Sequence, residues 1–115
     1  MSKKPILIIF FSVDCRICYH PIVNANQLYD KIIHKMEIFG VTRDGMESIK
    51  FFKKRHLIKF PLIYDKLGKY HKKFNVKVVP YRVLIKENRI IYKDDSYKDF
   101  SERDKEFNEA LRTIL

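Results

Sequence analysis

Tryptophan is absent from this chain, and glycine and proline are scarce, with three and four among 115 residues. So little glycine and proline argues against a loop-rich scaffold. No internal repeat and no low-complexity segment interrupts the sequence. No apolar run is long enough to span a membrane. Cysteine occurs only twice, at Cys15 and Cys18, so at most one internal disulfide can form. A bridge between i and i+3 closes a very small loop and removes little entropy from the unfolded chain. Stability is therefore a poor reason for this pair. The count does not fix the redox compartment, because a reactive pair suits reducing and oxidising surroundings alike. Acidic residues are outnumbered, 14 against 24 Lys and Arg, for a formal charge of +10.

What is present is an ordinary globular composition, 46% hydrophobic, of a length expected to form one compact domain over residues 1–115. Lys50, Lys53, Lys54, Arg55 and Lys59 form one basic cluster, and Lys66, Lys69, Lys72, Lys73 and Lys77 another. Such a surface attracts acidic partners, anionic lipid or nucleic acid, but no nucleic-acid motif accompanies the charge, and a solvated lysine-rich surface explains it. Lys3-Lys4 and the apolar stretch that follows resemble a short signal peptide. No small-residue cleavage site follows, and the stretch runs straight into the cysteines, so a buried strand explains it better. An extracytoplasmic location follows if a leader was removed, and a cytoplasmic one if Met1 is the native start.

Cys15-Arg16-Ile17-Cys18 directly follows the apolar run Ile6-Leu7-Ile8-Ile9-Phe10-Phe11. A helix starting at Cys15 would turn its unpaired N–H groups and positive end toward the first sulfur. That favours thiolate and makes Cys15 a nucleophile near neutral pH. Arg16 should strengthen this effect and Asp14 oppose it. His20 is either a local proton carrier or a solvent-exposed histidine of the first turn. A strand feeding such a helix is the geometry of thiol–disulfide exchange.

Pro5 to Val13 reads as a central strand covered on both faces. A helix is expected from Cys15 to about Lys35, with Ile22, Ala25, Leu28, Tyr29, Ile32 and Ile33 buried and Pro21 kinking it or delaying its regular part. Met36–Val41 reads as a strand. Asp44 and Glu47 suggest a capping box for a helix over 45–56, with Met46, Ile49, Phe52 and Phe51 inward. Phe60–Tyr64 is extended. Lys66–Phe74 reads as a short helix, with Leu67, Tyr70 and Phe74 inward. Tyr81–Ile85 and Ile90–Tyr92 form a hairpin about residues 86–89. Ser101, with Asp104 three residues on, opens a last helix whose stripe is Phe107, Ala110, Leu111, Ile114 and Leu115. The order predicts an α/β fold, a mixed sheet flanked by helices on both faces.

That order, with Cys-x-x-Cys at the first strand–helix junction and Val79-Pro80 before the hairpin, resembles the thioredoxin fold. More narrowly, the chain resembles the TlpA/ResA-like thiol–disulfide oxidoreductases. The segments that carry the likeness are Phe10–Cys18, Phe60–Asp65, Tyr70–Val76 and Val79–Ile85 continuing into Asn88–Tyr92. The resemblance implies Cys15 as attacking thiol, Cys18 as resolving thiol and Pro80 as a cis proline packed against them. Val79 would then offer its backbone to an extended substrate segment. It implies protein disulfides or thiols as substrates, most simply as a reductase acting as a monomer, with a redox partner that recycles it and no cofactor or metal. Asp14 replaces the Trp usual before the first cysteine, Ile17 stands where Pro is common, and Ile9 occupies the position of a buried acid. Tyr19, His20 and Pro21 follow where a Glu is common.

Two rivals use the same residues. A zinc or copper site would take Cys15, Cys18 and His20, with a fourth ligand from His34, His56 or His71. A non-catalytic binding module of the same fold is favoured by the missing Trp and acid and opposed by the intact pair and Pro80. Peroxidase chemistry finds Ser12 at a suitable spacing before Cys15 but leaves Cys18 without a role.

Overall fold

A computed structural model describes residues 4–115. Lys3 of the targeting reading lies outside them. Five strands form one mixed sheet in the order β3-β2-β1-β4-β5. They are β1 (Ile6–Phe10), β2 (Glu37–Thr42), β3 (Leu62–Tyr64), β4 (Tyr81–Lys86) and β5 (Arg89–Lys93). β1 pairs parallel with β2 and antiparallel with β4, so it lies at the centre. This explains its unbroken apolar sequence. Leu7, Ile9 and Phe11 face one core layer, while Ile8 and Phe10 face the other.

The helices are α1 (Tyr19–Ile32), α2 (Met46–His56), α3 (Lys69–Lys73) and α4 (Phe100–Arg112). Ile22 and Ala25 of α1, Phe52 of α2, and Phe107 and Leu111 of α4 fill the first layer. Phe74 and Val76, just after α3, close the second against Phe10, Val41, Tyr81 and Val83. The mixed α/β sandwich expected from the sequence is therefore present. The hairpin turns through Glu87 and Asn88, both at positive φ of 53° and 65°, as a two-residue turn matched to strand twist requires.

Several boundaries differ from the sequence expectation, each for a local reason. α1 begins at Tyr19 rather than Cys15. Pro21 has no N–H to bond back to Ile17, and the first i→i−4 bond runs from Ile22 N to Cys18 O at 3.2 Å. Pro21 thus sits in the first turn, where its missing donor costs nothing and no kink is needed. α3 begins at Lys69 because Gly68 takes a left-handed φ of 70° and the Asp65 carboxylate accepts the Tyr70 and His71 amides. This register leaves Leu67 86% exposed and turns Tyr70 outward. Met46 and Phe51 of α2, Leu28 of α1 and Leu115 are also exposed, so each buried stripe is narrower than its apolar pattern. Asp99, not Ser101, caps α4 by accepting the Glu102 amide at 2.9 Å, a cap that satisfies an orphan donor.

Arg82 is the one charged side chain that β4 directs into the first layer, opposite Ile9 in the register. Its Nε and Nη2 donate to Asp94 at 3.1 and 3.3 Å, and its Nη1 donates to Asp104 at 2.7 Å. Asp94 also accepts from the Arg82 amide at 2.8 Å and from the Tyr92 hydroxyl. Burial, reinforced by the bond to Asp94, raises the Tyr92 phenol well above its ordinary value.

Two consequences are measurable. Asp94→Ala leaves the Arg82 guanidinium buried without its main partner and should cost about 3–5 kcal/mol in urea unfolding; a loss within error of zero would contradict the pairing. Burial alone would raise the Asp65 carboxyl, but the His71 ring and the His71 and Tyr70 amides outweigh it and hold the value below the ordinary 3.8. The folded chain then binds fewer protons than the unfolded one in this range. The stabilisation is complete above pH 3.8 and fades as pH falls through the lowered folded value. The gap in urea midpoint between wild type and Asp65→Asn should therefore shrink between neutral pH and about pH 3. A gap that stays constant would refute the assignment.

Candidate active site

Cys15 and Cys18 are joined as a disulfide, with Cα atoms 5.3 Å apart. They lie on the turn that links β1 to α1. Cys15 N donates to Ser12 O at 3.1 Å and Tyr19 N to Arg16 O at 3.2 Å, which coils the motif before the helix proper. The helix end does not start at the first sulfur, as the sequence suggests, yet one amide still serves it. Cys18 N donates to Cys15 Sγ at 3.2 Å. The two sulfurs differ in access: Cys15 is half-buried, while Cys18 is 2% exposed and packs into the first core layer.

The other residues singled out by sequence divide around this pair. Asp14, Arg16 and Ile17 are exposed, Ile17 at 57%. The Val79-Pro80 bond is cis. Pro80 is buried, and Val79 packs against both core layers. His20 is exposed and lies on the α4 side of the motif, 3.0 Å from Asn24 Nδ2 and 3.7 Å from Asp104. It shares a shallow depression with Ile17, Phe100 and Asp104.

The histidine that shares a depression with Cys15 itself is His56, at the end of α2, together with Val13, Tyr19 and Phe52. Its ring meets Tyr19 edge-on at 4.9 Å and Phe52 at 4.6 Å. His71 is bound to Asp65 instead. Among the described residues no group of three or more His, Cys, Asp or Glu is placed to hold a metal ion.

Three positioning residues were not legible as such. Asp44 does not cap α2, whose N-cap is Gly45. Its carboxylate turns back to accept Val13 N at 2.9 Å and the Thr42 hydroxyl at 2.6 Å. That ties the loop before Cys15 to the end of β2. The second is Arg103, whose Nη1 donates to Pro80 O at 3.0 Å and fixes the proline loop to α4. The third is Asp104, which joins Arg82 and lies beside His20. A carboxylate just before a helix reads as a cap, and a charge within an amphipathic helix reads as a solvated position, so only the fold reveals these contacts.

The AhpC/TSA family profile matches residues 1–94. No curated protein sequence matches the chain. Among solved structures, a Chlorobium tepidum protein assigned as the thiol:disulfide interchange protein DsbE is 16% identical, with a TM-score of 0.82 over 99% of this chain and 82% of its own. StoA from Bacillus subtilis is 18% identical, with a TM-score of 0.74 over 94% of this chain and 84% of its own. Peroxiredoxin Q from Xanthomonas campestris is 19% identical, with a TM-score of 0.80 over 99% of this chain and 82% of its own. At these identities the likeness is one of fold.

Asp44→Ala leaves the Val13 amide and the Thr42 hydroxyl without their acceptor. The variant should lose about 1–3 kcal/mol and exchange its Val13 amide hydrogen faster. Unchanged Val13 exchange would show that Asp44 does not hold the loop.

Proposed function

The chain belongs to the AhpC/TSA family, and from that premise we propose that it reduces disulfides in other proteins, with Cys15 as attacking thiol and Cys18 as resolving thiol. It is a thiol–disulfide oxidoreductase with a Cys-x-x-Cys pair. The observation that carries the division of roles is the unequal access of the two sulfurs. Cys15 faces an open depression, and Cys18 is 2% exposed behind it.

The cycle needs no group beyond the pair. Cys15 thiolate attacks one sulfur of a substrate disulfide; the substrate S–S bond breaks, a mixed disulfide forms and the leaving thiolate takes a proton. Cys18 then loses its proton and attacks Cys15 Sγ. The mixed disulfide breaks, the second substrate thiol leaves, and the Cys15–Cys18 disulfide remains. Two electrons have passed to the substrate. A separate thiol donor must return them, and that recycling partner is a second protein contact of the same face. The Cys18 amide, 3.2 Å from Cys15 Sγ, is placed to stabilise negative charge on the attacking sulfur. Arg16 adds a neighbouring positive charge. Val79 and the cis Pro80 are the proposed backbone contact for the substrate segment.

Cys15→Ser should abolish turnover of a protein disulfide, and Cys18→Ser should accumulate mixed disulfides visible by mass. Normal turnover by the Cys15→Ser protein would overturn the assignment. Equilibration in graded thiol buffers tests the direction. A couple near about −270 mV supports a reductant, whereas one near about −120 mV would make the protein an oxidant.

A further inference from the structure

On the α2 side of Cys15 the open depression at the sulfur continues into a trough along α2 that the backbone contact at Val79 does not use. A depression of about 400 Å³ beside Cys15 runs into a second along α2, and the two share Val13, Asp14, Phe52 and His56. Residues four apart on a helix stand in line. Glu47, Phe51 and Arg55 therefore make one row of the second depression, and Ser48, Phe52 and His56 make the other. Phe51 is 66% exposed, and Tyr19 at the Cys15 end is also exposed. A ring left in water beside the reactive sulfur and another farther along the same trough are what a docking segment would cover. The wall is already ordered, because the His56 ring is packed between Tyr19 and Phe52.

Charge decides which segment fits. Arg16 stands next to Cys15, and Arg55 sits in the last turn of α2. Among the described residues neither Arg16 nor Arg55 takes part in an ion pair. Lys50 and Lys54 add exposed positive charge to the same helix. Two carboxylates oppose this. Asp14 lies at the Cys15 end, outnumbered there by Arg16 and Arg55. Glu47 lies two helical turns from Arg55, about 12 Å along the axis. The trough is thus polar in direction, with its positive end near the sulfur.

We propose that this trough binds the stretch of a substrate protein that flanks its disulfide cysteine, and that it selects stretches carrying an acidic residue beside an aromatic one. The carboxylate would pair with Arg55 and Arg16, and the ring would cover Phe51. Backbone pairing at Val79 is blind to sequence, so selectivity would come from this side. The proposal rests on the oxidoreductase reading above.

Two peptides test it, each with one cysteine held as a mixed disulfide with 2-mercaptoethanol. One carries Asp and Phe next to the cysteine and the other carries Lys and Ser. The reduced protein should reduce the Asp-Phe peptide about tenfold faster, a difference of about 1.4 kcal/mol. Added salt should shrink the ratio. Arg55→Glu should bring it to unity or invert it, and Phe51→Ser should lower it. Equal rates on both peptides, with bis(2-hydroxyethyl) disulfide still reduced, would overturn the trough and leave the oxidoreductase reading standing. Failure to reduce any of the three would overturn that reading instead. The trough is then judged by amide NMR shifts with serine-for-cysteine peptides: perturbation of Phe51, Arg55 and His56 by the Asp-Phe peptide alone supports it, and none sinks it.

Discussion

A guanidinium buried between the sheet and α4 sets the position of much else in this molecule. Taking Arg82 out of water costs several kcal/mol, which only well-placed partners can offset. Asp94 and Asp104 accept from three of its nitrogens. Phe107 and Phe100 lie over it at 4.2 and 5.0 Å from their ring centroids, where the aromatic faces attract a cation. Phe100, Asp104 and Phe107 share one stripe of α4, so satisfying Arg82 also fixes the rotation and height of that helix. Arg103, on the neighbouring position, then reaches Pro80 O. One costly burial on β4 is in this way coupled to the loop that carries the cis proline.

The same network alters how polar groups reach the motif. Ile9 stands on β1 where many thioredoxins have a buried acid, and its antiparallel neighbour in the register is Arg82. A carboxylate at Ile9 would face that guanidinium directly. Here the carboxylates come from the hairpin and from α4, and only Asp104 reaches the surface near His20. On the opposite side Asp44 anchors the residue two before Cys15. The cysteine turn is therefore held at two points: the Asp44 carboxylate and the packed Cys18 side chain.

The sequence reveals the frame better than the fastenings. β1 is legible because burial on both faces leaves an unbroken apolar run, the Cys pair because two thiols at this spacing can close across one turn, and Val79-Pro80 only through the family pattern it resembles. The fastenings depend on partners far along the chain. Arg82 appears in the sequence only as a break in an apolar strand, with nothing local to name Asp94 or Asp104. Asp44 has the spacing of a cap and serves a different amide. Asp65 sits before a helical turn, and its hold on Tyr70 and His71, with Gly68 left-handed, shifts the register that Leu67 and Tyr70 suggested. His20 lies closest to the motif in sequence, yet His56, 41 positions from Cys15 in the numbering, shares its surface.

The unequal setting of the two sulfurs also orders the proposed chemistry in time. A bulky substrate can approach Cys15 from the α2 side, but its path to Cys18 is closed by the core packing around Ile22 and Phe11. In the disulfide form the two Cα atoms stand 5.3 Å apart, a separation a disulfide accepts, so a turn that keeps this shape holds the resolving thiol in reach of Cys15. Its attack is intramolecular and needs no further encounter, which gives it a large advantage over any second thiol from solution. Cys15 lines one of the α2 depressions and Cys18 lines neither, so a segment lodged along Phe51 and Arg55 would lie on residues other than the resolving one. Recognition on α2 and resolution by Cys18 are then carried by different residues, so the contacts that would select a substrate are separate from the thiol that releases it.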